Sequence, residues 1–394
     1  MDDPIVVVGA GVAGVRVVRR LRRGGYRGPL VLVDAQTEWP YDRPPLSKQV
    51  LRGERDLPVL LDEEACLALD VDWRGGSRAV GLDAHARFLR LHDFGLVYST
   101  LVIATGSRAR RVPSLQGAVL RSYADAVSLR AVARPDATVL VVGAGLIGCE
   151  VAASCRARGA DVHLADTLPS PTARVTGSIL GAEVAALHRE HGVVLHLETT
   201  VTRTDADGVT LSDGTVLRPD LVLEAVGAEP DLRWLAGSRL VLADGVVCDA
   251  EQRTNLKDVY VVGDAAAPLG RRSEHWTAAT EQADRAAASI LGKPRPADQP
   301  PYWWSDQYDL KIQGLGLIDL ADEVVIGMAG GGRLGVFGSK GTLVGAVGLG
   351  ASAALMRLRA SIAEGSPLGD AVATLEDPVA HRIEDARPLV RERA

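Results

Sequence analysis

The chain has 394 residues, of which 47% are hydrophobic and 24% charged, which is enough for two or three soluble globular domains. This composition argues against a disordered chain, a collagen and a coiled coil. Four cysteines without a CxxC pair count against a disulfide scaffold, a zinc site and a dithiol relay. The net charge of -6 provides no broad basic field for nucleic acid.

The first four residues of the chain carry no basic side chain. Met1 to Pro4 carries two acids, and a strand-like run reaches Gly9 a few residues later. The most apolar stretch, Gly341 to Met356, is too short to span a bilayer and contains several glycines, as hairpins often do. We therefore expect a cytoplasmic protein with no transmembrane segment, whose first domain begins at the N-terminus.

The first motif is a glycine-rich turn between a strand and a helix. A β-branched run leads into Gly9-Ala10-Gly11-Val12-Ala13-Gly14, and a helical pattern follows. A second strand ends in Asp34, where an acid that binds a ribose belongs. In such a turn the first glycine permits a tight bend, the second lets backbone approach a pyrophosphate, and the third lets the helix pack closely. The alternative is a glycine-rich turn with no ligand.

The same motif occurs a second time. Gly143-Ala144-Gly145-Leu146-Ile147-Gly148 follows a strand and opens a helix, and the next strand ends in Asp166. Two such sites in one chain predict two different dinucleotides, most economically a bound flavin and a diffusing nicotinamide. A duplicated sugar-nucleotide fold is the alternative.

Asp166 also bears on the choice of nicotinamide. A carboxylate there accepts hydrogen bonds from an adenosine ribose and would repel a 2′-phosphate, and the next four residues include no arginine. The sequence thus favours NADH over NADPH. Arg174 is the nearest cation. It could contact the pyrophosphate or simply be solvated, and the sequence favours neither alternative.

Three further strand ends have the composition of cofactor contacts. One strand ends in Thr105-Gly106, a second leads to Gly227, and a third ends in Gly263-Asp264. Backbone can approach a cofactor closely at each glycine, and Asp264 could accept a hydrogen bond from a polyol such as a flavin ribityl chain. A Gly-Asp pair by itself is more often only a turn, so the assignment of Asp264 as a cofactor contact depends on its position at the end of a strand.

Taken together, the chain resembles the FAD-dependent NAD(P)H:ferredoxin reductases of bacterial oxygenases and cytochromes P450, the putidaredoxin reductase type, whose fold is similar to that of glutathione reductase. Besides the two glycine turns, the resemblance includes Ala104-Thr105-Gly106, Gly148-Cys149-Glu150 and Val262-Gly263-Asp264. Its specific motifs are Tyr41-Asp42-Arg43-Pro44-Pro45-Leu46-Ser47-Lys48 and Pro301-Tyr302-Trp303-Trp304-Ser305-Asp306-Gln307-Tyr308.

The resemblance implies roles for particular residues. Lys48 would lie near the reactive N5 edge of the flavin and pair with Glu150, and Trp304 would flank the flavin and nicotinamide. A cation beside the ring is also reasonable because reduction leaves an anionic flavin. The alternatives are an exposed lysine after a proline turn, and core packing for one of the two tryptophans. Further cofactor contacts are implied at Ala13, Ala35, Arg43, Ala79, Arg121, Asp264, Trp276 and Leu146.

One segment departs from the family pattern. Glu224 precedes Ala225-Val226-Gly227, and Asp231 follows Pro230, where the family more often has Gly-Ile-Gly and then Asn or Arg. Gly227 is kept, so access for the nicotinamide is expected.

The cysteines decide how electrons leave. Cys66, Cys149, Cys155 and Cys248 do not occupy the positions at which related flavoproteins carry redox cysteines, and Ser47-Lys48 stands where one would be. Electrons would then pass directly from flavin to a one-electron iron-sulfur acceptor. The predicted reaction is NADH + 2 oxidised ferredoxin → NAD⁺ + H⁺ + 2 reduced ferredoxin. An NADH oxidase or other direct small-molecule reductase, and a redox-sensing FAD/NAD binding module, are the alternatives.

The motif order predicts an α/β protein with two Rossmann-like domains and a smaller C-terminal α+β domain. The FAD domain should comprise residues 1–112 and 247–297, the NAD domain 113–246, and the last domain 298–394, with a helix near 351–363 and a charged, disordered tail from Glu376. The protein is expected to be a monomer or a homodimer. A basic rim that would bind an acidic ferredoxin is expected among five arginines. A solvated arginine face with no docking role is an equally weighted alternative. The five candidates are Arg108, Arg110, Arg111, Arg271 and Arg272.

Overall fold

A computed structural model describes residues 3–383. Within that range the strands, in chain order, are β1 (Ile5–Val8), β2 (Leu30–Val33), β3 (Asp72–Arg74), β4 (Ala79–Asp83), β5 (Phe88–Leu91), β6 (Gly95–Val97), β7 (Thr100–Ile103), β8 (Ser107–Ala109), β9 (Thr138–Val142), β10 (Asp161–Ala165), β11 (Val194–His196), β12 (Val201–Asp205), β13 (Gly208–Leu211), β14 (Val216–Leu217), β15 (Leu221–Glu224), β16 (Ala228–Pro230), β17 (Val246–Cys248), β18 (Val259–Val261), β19 (Ala266–Pro268), β20 (Tyr302–Gln307), β21 (Leu310–Gly316), β22 (Glu323–Ala329), β23 (Gly332–Ser339), β24 (Thr342–Leu349) and β25 (Glu376–Arg382).

The α-helices of the same range are α1 (Val12–Arg23), α2 (Glu63–Ala68), α3 (Tyr123–Val132), α4 (Leu146–Ala157), α5 (Ala173–Glu190), α6 (Trp276–Ile290), α7 (Ser352–Arg357), α8 (Arg359–Glu364) and α9 (Leu368–Val372). A short π-helical turn covers Leu46–Val50. No helix of the described chain is both long and apolar enough to cross a membrane.

The chain forms two compact units. The first contains the chain up to Arg43, Leu57–Arg108 and Ala228–Asp298. The second contains Pro44–Asp56, Ala109–Gly227 and the chain from Gln299. The division into three domains at the boundaries given above stays a prediction.

The first unit is built on a parallel sheet in the order β18-β7-β1-β2-β3. Its central strands are continuous apolar runs because helices and loops cover both faces. Helix α1 buries Val15, Val18 and Leu21 against this sheet, and packs beside α6. Arg16 and Arg20 of α1 both donate to Asp284 of α6, so the helix that follows the first glycine turn is held by charge as well as by apolar contact.

The second unit repeats this plan with the parallel sheet β11-β10-β9-β15. Helix α4 follows β9 as α1 follows β1, and it is buried along most of its length because β-strands and the π-helical turn pack around it. The predicted fold class, two Rossmann-like sheets plus a smaller C-terminal α+β element, is confirmed.

The C-terminal part of the second unit is an antiparallel sheet, β20-β21-β24-β23-β22-β25. Helices α7 and α8 follow β24 and cover the region where the sequence predicts a helix. The expected disordered tail from Glu376 is wrong for its first residues, because Glu376–Arg382 forms β25 and pairs with β22. The remainder of that tail lies outside the described residues.

Candidate functional site

The first glycine turn has a backbone that a side chain would not permit. Gly9 has a φ of +106°, and a Cβ there would overlap the carbonyl oxygen of Ala104. A Cβ on Gly14 would overlap the carbonyl oxygen of Gly9, because α1 leaves the turn in direct contact with it. Among the described residues no side chain caps the start of α1, so its first amide N–H groups can receive an anion.

The second glycine turn has the same geometry. Gly143 has a φ of +104°, and a Cβ there would overlap the carbonyl oxygen of Ala225. A Cβ on Gly148 would in turn overlap Gly143. At Gly145 a Cβ would meet no atom of the described chain within 4 Å, which leaves the backbone open to a bulky group such as a pyrophosphate.

The acid after each turn is held by the turn itself. Asp34 Oδ2 accepts from the Ala10 amide at 2.6 Å and Oδ1 from the Gln36 amide at 2.8 Å. These contacts fix the carboxylate just after β2, the position at which dinucleotide-binding folds carry the acid that binds a ribose.

The second acid is held in the same way. Asp166 Oδ2 accepts from the Ala144 amide at 2.5 Å and Oδ1 from the Leu168 amide at 2.8 Å. Each oxygen keeps a second lone pair for a ribose hydroxyl. Asp166 is thus oriented by its own turn, and its discrimination against a 2′-phosphate stays a prediction.

A pocket opens beside Asp34 in the first unit. Tyr41, Arg43 and Trp73 line it together with Ala10. The guanidinium of Arg43 lies over the Tyr41 ring, 6.0 Å from its centroid, and close to where a Cβ on Gly11 would be. A carboxylate, a cation, aromatic rings and a bare glycine turn together fit the adenosine and pyrophosphate part of a dinucleotide.

Other predicted contacts of the first unit lie at strand and helix ends. Ser107 Oγ donates to Asp264 Oδ2 at 2.7 Å, and Thr105 Oγ1 donates to the Asp231 carbonyl at 3.2 Å. Trp276 begins α6 and donates through Nε1 to Asp42 at 2.9 Å. Their contacts with a flavin stay predictions.

The remaining predicted residues of the first unit differ in exposure. Ala13 is buried and packs near Gly263, where an added Cβ would lie 3.2 Å from the Ala13 Cβ. Ala35 is exposed two residues after the end of β2, Ala79 opens β4, and Gly106 has a φ of +69°.

The second unit contains a buried ion pair. Lys48 Nζ lies 2.8 Å from Glu150 Oε2, and both side chains are only 7% exposed. Lys48 is presented by the π-helical turn and Glu150 by α4. This is the pairing that the family resemblance implies. A buried pair is costly unless every charge is also hydrogen-bonded, and here Ser47 Oγ and Ser305 Oγ both donate to Glu150.

Four other predicted residues of the second unit are placed as follows. Leu146 is the first residue of α4, and Arg174 is exposed in the first turn of α5. Arg121 precedes the N-cap of α3, and its amide donates to Asp125 at 2.9 Å. Trp304 stacks on Tyr302 with ring centroids 6.0 Å apart. Its neighbour Trp303 is a core residue, the role expected for one of the two.

Glu224 has a role that the sequence did not reveal. Its side chain is 0% exposed and accepts from the amides of Val112 at 2.6 Å and Gly117 at 2.8 Å, with the Arg111 guanidinium 3.2 Å away. Glu224, which departs from the family pattern, therefore holds the 111–117 loop against the end of β15. Gly227, at a φ of +107°, has open space where a Cβ would be, so backbone remains accessible there.

The four cysteines are buried free thiols. Burial raises the pKa of Cys155 and of Cys248 to about 12, and raises the pKa of Cys66 and Cys149 as well. These thiols stay protonated at neutral pH and are poor nucleophiles.

The expected basic rim needs correction at Arg272. Its side chain is 2% exposed and lies between Asp244 at 3.2 Å and Glu274 at 2.5 Å, because burial requires the guanidinium to be paired. Arg108 is paired with Glu229 at 2.6 Å. Arg272 therefore contributes nothing to an exposed docking surface.

The two repeated sheets, each with a glycine turn and a fixed acid, define an oxidoreductase of the class that binds two dinucleotides. Residues 3–283 match the family model of pyridine nucleotide-disulphide oxidoreductases, and residues 302–381 match the reductase C-terminal family. The chain belongs to the pyridine nucleotide-disulphide oxidoreductase family.

Within that family, the relatives that the chain matches include reductases of ferredoxin-dependent systems. The chain is 34% identical over 342 residues to the ferredoxin--NAD(+) reductase component of the biphenyl dioxygenase system of Paraburkholderia xenovorans, covering 83% of this chain and 84% of the relative. It is 33% identical to putidaredoxin reductase of Pseudomonas putida, covering 82% and 83%. The crystal structure of the covalent putidaredoxin reductase-putidaredoxin complex superposes with a TM-score of 0.89 at 28% identity, covering 95% and 99%.

Proposed function

We propose that this protein is a ferredoxin reductase that carries electrons from NADH through FAD to an iron-sulfur ferredoxin serving an oxygenase or a cytochrome P450. The observation that carries the proposal is the duplicated glycine turn with its fixed acid, in a chain that also buries the Lys48–Glu150 pair. The likeness to reductases of dioxygenase and P450 systems supports it.

The first turn would hold FAD. The amides that open α1 receive the pyrophosphate, Asp34 receives the adenosine ribose, and Arg43 adds a cation beside them. The second turn would hold NADH, with Asp166 on its ribose. FAD held there would supply a hydride acceptor for NADH and a route for releasing electrons one at a time.

In this proposal the electrons leave the flavin without passing through a cysteine thiol. All four cysteines are buried with raised pKa values, so a dithiol relay has no residues to use. Exit to a protein acceptor then fits the balance NADH + 2 oxidised ferredoxin → NAD⁺ + H⁺ + 2 reduced ferredoxin, in which two single-electron transfers match one hydride. We also propose a cytoplasmic location, because the ferredoxin that would accept the electrons is a soluble carrier.

The test is anaerobic reduction of the purified, FAD-loaded protein by NADH. A panel of [2Fe-2S] and [3Fe-4S] ferredoxins is then added with cytochrome c as terminal acceptor. Fast cytochrome c reduction that depends on one ferredoxin supports the proposal. Peroxide formation without ferredoxin-dependent turnover would make the protein an NADH oxidase, and a long-lived reduced complex with negligible turnover would make it a redox-sensing module.

A further inference from the structure

The two oxygens of Glu150 have separate partners. Oε2 faces the π-helical turn, where it accepts from Lys48 Nζ at 2.8 Å and from Ser47 Oγ. Oε1 faces β20, where it accepts from Ser305 Oγ at 2.8 Å. Glu150 is therefore fixed on one side by β20 and presents its other oxygen to Lys48.

Ser305 is itself the end of a longer chain of hydrogen bonds. Gln307 Nε2 lies 3.2 Å from Ser305 Oγ, and Gln307 Oε1 lies 3.0 Å from His188 Nε2. His188 Nδ1 lies 3.1 Å from the Tyr308 hydroxyl. The chain thus runs from Tyr308 through α5 and β20 to the carboxylate on α4.

The direction of each hydrogen bond follows from the chemistry of the groups. The carboxylate paired with Lys48 can only accept, so Ser305 donates to it and receives from the Gln307 amide. The Gln307 carbonyl oxygen can only accept, so His188 donates through Nε2, and its Nδ1 is left to accept from Tyr308. Each donor thereby has one acceptor, and the chain has one consistent arrangement.

Burial makes this arrangement hard to replace. Ser305, Gln307 and His188 are all 0% exposed. Ser305 and Gln307 alternate with outward residues along β20, so both point to the same face of the strand. Because these side chains are closed off from bulk solvent, each member depends on the next, and a fully satisfied buried network holds its groups in one geometry.

Resting on the proposed function, we propose that Ser305, Gln307 and His188 are positioning residues for the Lys48–Glu150 pair. By anchoring Oε1 they keep Oε2 turned toward Lys48, and thus keep the ammonium group in one place. A fixed cation stabilises charge that forms on reduction better than a mobile one, because it needs no reorganisation at that moment.

The decisive measurement is the midpoint potential of the bound FAD in the holoprotein. A cation near the ring favours the reduced, more negative flavin, so Lys48→Met lowers the potential. Ser305→Ala is expected to lower it in the same direction by a smaller shift, and to slow flavin reduction by NADH roughly fivefold, a part of what a hydrogen bond to a charged group contributes. Gln307→Met removes the next link and provides a second variant should Ser305→Ala not fold.

Two controls separate positioning from a general packing effect. Thr176→Val removes another buried hydroxyl of the second unit, 1% exposed and bonded to Thr172, and should leave the potential unchanged. In a Glu150→Gln background Ser305→Ala should shift the potential no further, because the carboxylate through which it acts is gone.

The outcomes distinguish this inference from the proposed function. A protein that binds no FAD, or whose FAD is not reduced by NADH, overturns both. If NADH reduces the flavin and Lys48→Met shifts its potential, but Ser305→Ala and Gln307→Met behave like Thr176→Val, the inference alone is overturned. An equal shift from Ser305→Ala with and without the Glu150 carboxylate also overturns it.

Discussion

The Glu224 carboxylate accepts a hydrogen bond from the amide of Val112 at 2.6 Å, although the two residues lie 112 positions apart in the chain. The bond joins the end of β15 to the 111–117 loop of the same unit. Because Glu224 also accepts from Gly117, two backbone donors depend on one buried side chain.

Replacing Glu224 by Leu should therefore destabilise the protein. Two backbone N–H groups lose their acceptor at the buried Glu224 side chain, and the half-exposed Arg111 guanidinium loses an ion-pair partner. The expected loss is about 3 kcal/mol in the free energy of unfolding. Denaturant unfolding of the holoprotein measures it. Glu229→Gln is the matched control, since Glu229 is partly exposed and pairs with Arg108, and it should cost below about 1 kcal/mol. Equal losses in the two variants would contradict the role of Glu224.

The second and third glycines of the second turn should respond differently to alanine. At Gly148 the added Cβ overlaps the carbonyl of Gly143, so Gly148→Ala should lower the free energy of unfolding by about 1–3 kcal/mol. At Gly145 the backbone has a φ of -72° and open space around it. Gly145→Ala should fold normally and yet raise the KM for NADH. The comparison needs thermal unfolding and steady-state kinetics, and a normal KM for Gly145→Ala would show that no phosphate lies against this backbone.

Asp166 should control the choice between NADH and NADPH. Asp166→Asn removes the charge that repels a 2′-phosphate and weakens the bond to the ribose, so the ratio of kcat/KM for NADH to that for NADPH should fall roughly tenfold or more. Asp34→Asn is the matched control because its carboxylate has the same two kinds of backbone partner. It should reduce FAD occupancy and leave the nicotinamide ratio unchanged. A ratio that responds to Asp34 and not to Asp166 would reverse the assignment of the two turns.

His188 should make stability depend on pH. Burial lowers the pKa of His188 from 6.5 to about 4, so between these values the unfolded chain binds a proton that the folded chain does not. The contribution of neutral His188 to the free energy of unfolding is then complete above pH 6.5. It is lost as the pH falls toward 4, and the total loss is about 3 kcal/mol. Unfolding measured at intervals from pH 7 to pH 4 should show a shallower fall for His188→Gln than for the natural chain. Parallel curves would mean that His188 is protonated within the fold.

Several elements of the fold were predictable because their signals are local. Gly9 and Gly143 precede helices at the ends of apolar strands, and Asp34 and Asp166 follow the next strands, so the two dinucleotide turns could be recognised within short windows of sequence. The buried thiols fit their scattered positions as well. The tail from Glu376 was mispredicted because its charge suggests disorder, whereas the open edge of β22 supplies a partner for β25.

The candidate site was harder to predict where partners are far apart. Lys48 and Glu150 were matched only through the family resemblance, since 102 residues separate them. Glu224 looked like an unexplained departure, and Ser305 and Gln307 looked like parts of a motif without a stated task. Nothing in their neighbourhoods of sequence indicates which buried groups they satisfy.

The sequence by itself determined where the two glycine turns lie, because a positive φ and a close helix contact exclude side chains whatever surrounds them. It also determined that the four cysteines include no CxxC pair. Only the tertiary structure decided how the Lys48 charge is held, which carboxylate fastens the 111–117 loop, and that Arg272 is buried. Those outcomes depend on which polar groups meet away from water, and a buried charge must find its partners across the fold.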